Sequence, residues 1–123
     1  MYKRQTVDNA NTAKAMGSGE LDVFATPAMI ALMEKTASES IKQYLDEDTT
    51  SVGTKIEIEH ISATPIGMKV RCESFLAQID GKRLVFEVSA FDECCLIGKG
   101  IHERFLVKKE KFTQKTYSKL KKE

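Results

Sequence analysis

Thr26-Pro27-Ala28-Met29-Ile30-Ala31-Leu32-Met33-Glu34-Lys35-Thr36-Ala37-Ser38-Glu39-Ser40-Ile41-Lys42-Gln43-Tyr44-Leu45 carries the strongest helical pattern in the chain. At 100° per residue one face gathers Ile30, Met33, Ala37, Ile41, Tyr44 and Leu45, with Lys35, Glu39, Lys42 and Gln43 opposite. Thr26 reads as the N-cap, and Pro27 suits the first turn because its missing N–H would have no helical partner. At 1.5 Å per residue the helix is about 27–30 Å long. The acidic stretch Asp46-Glu47-Asp48-Thr49-Thr50 ends it.

Beyond the helix the period changes to two. Ser51–Ile61 sets Val52, Thr54, Ile56, Ile58 and His60 on one face and Lys55, Glu57 and Glu59 on the other. Thr64-Pro65-Ile66-Gly67 is a turn, and Met68–Ile79 is a second strand. Asp80-Gly81 marks a hairpin into Leu84–Phe91. Glu93–Leu96 connects to a last strand, Ile97–Val107, and a further strand lies near Tyr2–Asp8. Consecutive strands with short connections require antiparallel pairing, since no crossover helix is available for a parallel sheet. The expected class is therefore α+β, one long helix against an antiparallel sheet of about five strands.

Composition narrows the function. The chain has 123 residues, read as a single domain over 1–123. Nineteen basic residues against 18 acidic ones leave a net charge of +1, which removes the electrostatic basis for nucleic-acid binding. No apolar run approaches the roughly 20 residues of a membrane span, and the first twenty residues hold no signal-peptide core. Three cysteines, two of them the adjacent Cys94-Cys95, build no disulfide framework and no zinc site. These features point to a cytoplasmic protein without a metal. From Lys108 onward seven lysines face two acids, a solvated basic tail that also suits a phosphorylated ligand nearby.

Three residues break the local patterns. Glu34 lies about 40° from the centre of the apolar stripe, where a carboxylate needs either a structural hydrogen bond or a chemical task as general base or nucleophile. His60 continues the inward face of its strand, toward the helix that carries Glu34, and an inward imidazole is either a satisfied core group or a proton shuttle. Thr26 needs no role beyond capping, yet a hydroxyl at a helix start sits beside free N–H groups able to hold an oxyanion. With Pro27 lacking a donor, Ala28 and Met29 are the N–H groups expected to serve. Gly53 interrupts its strand, as a bulge or a close approach of backbone to ligand. His102 and Arg104 share one face of the last strand and read most simply as solvent-facing.

Phe24-Ala25-Thr26-Pro27-Ala28-Met29-Ile30-Ala31-Leu32-Met33-Glu34, followed by Ser51-Val52-Gly53-Thr54, His60-Ile61-Ser62-Ala63-Thr64-Pro65-Ile66-Gly67 and Ile97-Gly98-Lys99-Gly100-Ile101-His102-Glu103-Arg104, resembles the hot-dog-fold thioesterases. It is most similar to the fluoroacetyl-CoA thioesterase-like family, over about residues 15 to 112. The resemblance implies a curved antiparallel sheet wrapped around a central helix, with two protomers paired. It implies a catalytic set at the positions of Thr26, Glu34 and His60, and acyl-CoA contacts at Gly53 and Arg104. The implied reaction is hydrolysis of an acyl-CoA thioester to acid and CoA without a separate cofactor. In it Glu34 attacks or activates water, His60 assists the leaving thiolate, and Arg104 and the basic tail meet the CoA phosphates. Ser18-Gly19-Glu20-Leu21-Asp22 offers no aromatic lid, so a short or medium ordinary acyl group is expected rather than fluoroacetyl.

Thr26 and Glu34 are eight residues apart, about 12 Å along a straight helix, too far for direct contact. Either Thr26 lies on an irregular lead-in segment or the site combines two chains, and a site at the interface of a homodimer is expected. The rival on the same fold is a non-catalytic acyl-CoA-binding or regulatory module, which has no need of a buried carboxylate. An acyl-CoA hydratase ranks behind both, since no inward Asp and His pair stands at suitable spacing.

Overall fold

Apolar spacing makes the long helix, but its ends and its buried face differ in detail from the sequence pattern. In the computed structural model, which describes residues 2–121, it runs Thr26–Lys42 as α2. It is preceded by β1 (Tyr2–Thr6) and the single-turn α1 (Ala13–Met16) and followed by β2 (Thr49–His60), β3 (Lys69–Asp80), β4 (Arg83–Phe91), β5 (Leu96–Lys108) and α3 (Lys109–Tyr117). Thr26 is not the N-cap. Ala25 occupies that position in extended conformation with no side-chain cap, and Thr26 is the first helical residue with Pro27 after it. The buried stripe is Ala28, Met29, Leu32, Met33, Thr36, Ala37 and Ile41. Its centre is displaced from Ile30, and Tyr44, beyond the helix end, is 78% exposed.

The five strands form one antiparallel sheet in the order β1-β3-β4-β5-β2, curled around α2. Fold class and strand count are as expected. The β3–β4 hairpin turns through Gly81 and Lys82, with Gly81 at φ +62° where only a glycine adopts the conformation without strain. The inner face carries Cys72, Leu84, Phe86, Val88 and Ala90, all buried against the helix stripe. At the β1 margin Lys3 reaches across to Glu39 of α2 at 2.7 Å. The lysine-rich tail forms the fully exposed α3 and a short 3-10 turn, Ser118–Lys121. Its last two residues lie outside the described residues.

Simple alternation fails on β2. The register with β5 slips between Gly53 and Lys55, so Thr54 is a bulge whose hydroxyl donates to the Glu103 carbonyl at 3.2 Å. A bulge reverses which side chains face inward. Ser51 and Gly53, rather than Val52 and Thr54, share the inner face with Ile56, Ile58 and His60.

Where α2 crosses β5, Gly98 replaces a side chain with space. A Cβ there would stand 2.5 Å from the Met29 sulfur and 2.7 Å from its terminal methyl. Gly98→Ala is expected to lower stability by about 1–3 kcal/mol through overpacking. In a double-mutant cycle, Met29→Ala should cost less on Gly98→Ala than on wild type. Additive melting data would show that Met29 does not press on this glycine.

Candidate active site

At the helix start the Thr26 hydroxyl lies 2.7 Å from Nδ1 of His60, the last residue of β2. His60 stands opposite Gly98 in the β2–β5 register. Its Nε2 is buried and has no partner among the described residues. Burial pushes the imidazole below its ordinary pKa of 6.5, partly offset by the neighbouring Ser62 backbone. The ring is therefore neutral at pH 7, and in that state Nδ1 accepts the Thr26 proton when the hydroxyl donates. The nearby donors differ from expectation. The Met29 N–H is committed to the Ala25 carbonyl at 3.0 Å, so it holds no oxyanion. Ala28, third in the helix, keeps an N–H the helix does not use.

Glu34 belongs to a second cluster. It is half-buried two turns further along α2, and its Oε2 points at the place where Gly53 lacks a side chain: a Cβ there would be 3.1 Å away. Cε1 of His102 would be 3.3 Å and a terminal nitrogen (Nη1) of Arg104 3.4 Å from the same point. Gly53 is thus both beside a bulge and the gap that admits a carboxylate.

His102 and Arg104 are not solvent-facing, a correction of the sequence reading. They are 1% and 8% exposed, on the inner face of β5. The Arg104 Nε donates to the Ser51 hydroxyl at 2.7 Å, Nη2 to the Ser51 carbonyl at 2.9 Å, and Nη1 to Nε2 of His102 at 3.2 Å. Nδ1 of His102 donates to the Lys55 carbonyl at 2.9 Å. Burial pushes both side chains below their ordinary pKa values, and the Glu34 charge opposes that shift on each. All three nitrogens of Arg104 are engaged inside the protein, with Nη1 on the side of Glu34. The sequence reading passed over His102 because Gly98, Gly100, His102 and Arg104 look like a polar outer face. The signal for the opposite facing was the other parity, Lys99, Ile101, Glu103 and Phe105, which is the exposed one apart from the half-buried Glu103.

The five expected site residues thus fall into two clusters. Thr26 meets His60 at one end of β2; Glu34, Gly53 and Arg104 meet at the other. Thr26 is regular helix, which removes the irregular lead-in, and six residues of strand separate Gly53 from His60, about 23 Å for seven steps at about 3.3 Å each. Among the described residues no group of three or more His, Cys, Asp or Glu side chains gathers to hold a metal.

The model of the fluoroacetyl-CoA-specific thioesterase family matches residues 7–110. The chain belongs to that family. It is 40% identical over 98 residues to the fluoroacetyl-CoA thioesterase of Streptantibioticus cattleyicolor, covering 80% of this chain and 70% of that one. A mutant of the fluoroacetyl-CoA-specific thioesterase, solved with fluoroacetate and CoA, superposes with a TM-score of 0.91 at 33% identity, covering 97% and 98% of the two chains. A Thermus thermophilus member of the thioesterase superfamily superposes at 0.88 with 27% identity, covering 98% and 88%. The fold is the hot-dog fold, and the thioesterase acts on acyl-CoA as a thioester hydrolase. No helix of the described residues is long and apolar enough to cross a membrane.

Proposed function

We propose that the thioesterase works as a cytoplasmic homodimer of one-domain chains, with each site assembled from both. The observation that carries this is the division of the site between the two ends of β2, a 12-residue strand paired on one side only. An antiparallel pairing of β2 with its two-fold mate, centred on Glu57, sets Ile56 against the partner's Ile58 on the inner face. It sets Lys55 against the partner's Glu59 on the outer face, and the Gly53–Thr54 bulge against the partner's His60. The two Glu57 carboxylates meet at the axis, each already held by its own Lys55 at 3.2 Å.

In this arrangement Thr26 and His60 of one chain face Glu34, Gly53 and Arg104 of the other across one thioester. The Ala28 N–H, or a backbone donor at Gly53, polarises the thioester carbonyl. Glu34 drives the attack, either as nucleophile, forming a mixed anhydride that a water then hydrolyses to the free acid, or by taking a proton from a water that attacks directly, and the C–S bond breaks. His60, poised by Thr26, relays a proton to the departing thiolate, and the proton released by the attacking water restores the imidazole. The protein's own groups supply every step, and no cofactor is needed. Arg104 serves the acyl end from inside the wall, and the exposed lysines of α3 are the groups left for the CoA phosphates. The substrate is a short or medium acyl group without fluorine. Ser18–Asp22 presents no aromatic ring, and Leu21 there is 68% exposed.

Thiol release from a graded series of acyl-CoAs, with fluoroacetyl-CoA included, tests the substrate. Cleavage confined to fluoroacetyl-CoA would overturn the acyl preference, and binding without cleavage would make the chain a binding module. The interface has its own test. In a Cys94→Ser/Cys95→Ser background, Glu57→Cys should form a disulfide-linked dimer under mild oxidation, because residues on the axis lie about 4.5–5.5 Å apart. Lys55→Cys should stay monomeric on a non-reducing gel, and the reverse result would refute the register.

A further inference from the structure

We propose that His102 is a positioning residue of the thioesterase, holding the Arg104 guanidinium beside Glu34 through its Nε2. The inference rests on the catalytic reading of Glu34 and assigns a residue outside the Thr26, Glu34 and His60 set. The Lys55 carbonyl can only accept, so the proton of the 2.9 Å hydrogen bond sits on Nδ1. A guanidinium can only donate, so the Nε2 that meets Arg104 at 3.2 Å carries none. Both neighbours therefore demand the same neutral tautomer, and at 1% exposure no solvent competes for either nitrogen. Phe86 of β4 lies beside the ring, 6.3 Å between centroids with the planes tilted by 30°.

The lock decides what Arg104 does. Ser51 takes two of its nitrogens and His102 the third, which places the cation next to the Glu34 carboxylate. No ion pair within 4.0 Å joins Glu34 to Arg104 among the described residues. Glu34 is thus faced by a positive charge without being clamped by it. With the Nε2 acceptor gone, the freed terminal nitrogen finds Glu34 as its nearest acceptor, and a direct ion pair withdraws the carboxylate from the substrate.

Two measurements test this on the full chain. Long-range proton–nitrogen spectra of the uniformly labelled protein, with only two histidines and His60→Asn for assignment, should show His102 protonated at Nδ1 and bare at Nε2 at pH 7. A protonated Nε2 overturns the proposal. His102→Leu should lower kcat by about 10- to 100-fold with KM changed less than about threefold. His102→Gln, whose side-chain oxygen can again accept from Arg104, should restore kcat to within about threefold of wild type. Unchanged kcat in His102→Leu, or a Gln variant as impaired as the Leu variant, sinks the positioning role. Should His102→Leu fail to fold, Ser51→Ala loosens the same guanidinium from its other side and must lower kcat in the same way. A wild type that releases no thiol overturns the functional reading itself, and the spectrum then judges the lock alone.

Discussion

Mixing Glu34→Gln chains with His60→Asn chains should restore about a quarter of the wild-type thiol-release rate from two nearly inactive parents. Each variant alone is expected to lose about 10²-fold or more in kcat, because each removes a group proposed to act on the reacting atoms. In a two-fold dimer with shared sites, every heterodimer has one site carrying both defects and one site carrying neither. Random exchange makes half the dimers mixed, and half of the sites in those are intact. If all three residues instead met within one chain, every site would carry one defect and the mixture would stay dead. The geometry favours exchange: Thr26 and Glu34 sit on one regular helix about 12 Å apart. Co-expression with two affinity tags isolates the heterodimer, and a purified heterodimer without activity would refute the shared site.

Gly100→Ala is expected to be the most damaging single methyl in the protein. A Cβ at Gly100 would overlap the carbonyl oxygen of Glu57 and stand 2.7 Å from Cδ1 of Ile58 and 2.9 Å from the Glu57 carbonyl carbon. At Gly98 the closest obstacle is a flexible thioether, with the Glu59 carbonyl oxygen at 3.1 Å; at Gly100 the backbone of β2 itself is overlapped. Side-chain motion cannot relieve it, so β2 must part from β5 near Ile58, its Gly100-facing residue. The expected loss is about 3 kcal/mol or more, or a melting temperature lower by roughly 10 °C. Because the displaced strand is also the proposed dimer edge, the variant should populate monomer on sizing columns at concentrations where wild type does not. A melting point within about 2 °C of wild type would show that the two strands tolerate the methyl.

How much of the site could be read from residues alone is clearest by comparing Glu34 with His102. Glu34 announces itself because a charge in an apolar helical stripe has few bland explanations. His102 does not, because its strand face is built from glycines, an imidazole and a guanidinium, which together look like a solvent face. That face is buried only because α2 lies over it, and glycine there is a packing requirement of Met29 rather than a mark of exposure. Thr26 was legible as a residue at a helix start but not as the partner of His60. Its hydroxyl is committed to a strand 34 residues away.

Local chemistry by itself determined the helix, the number and order of strands after it, the hairpin at Gly81 and the candidacy of Thr26, Glu34 and His60. Each depends on spacing, turn preference or the cost of burying a charge, all of which act over a few residues. Only the tertiary structure decided that the Thr54 bulge turns Ser51 and Gly53 inward and that Arg104 is buried and locked. It also decided that the five candidate site residues fall into two clusters toward opposite ends of β2. Those outcomes depend on which side chains meet across strands and between helix and sheet. Such contacts join residues far apart in the chain, 53 positions in the Ser51–Arg104 hydrogen bond, and no local periodicity encodes them.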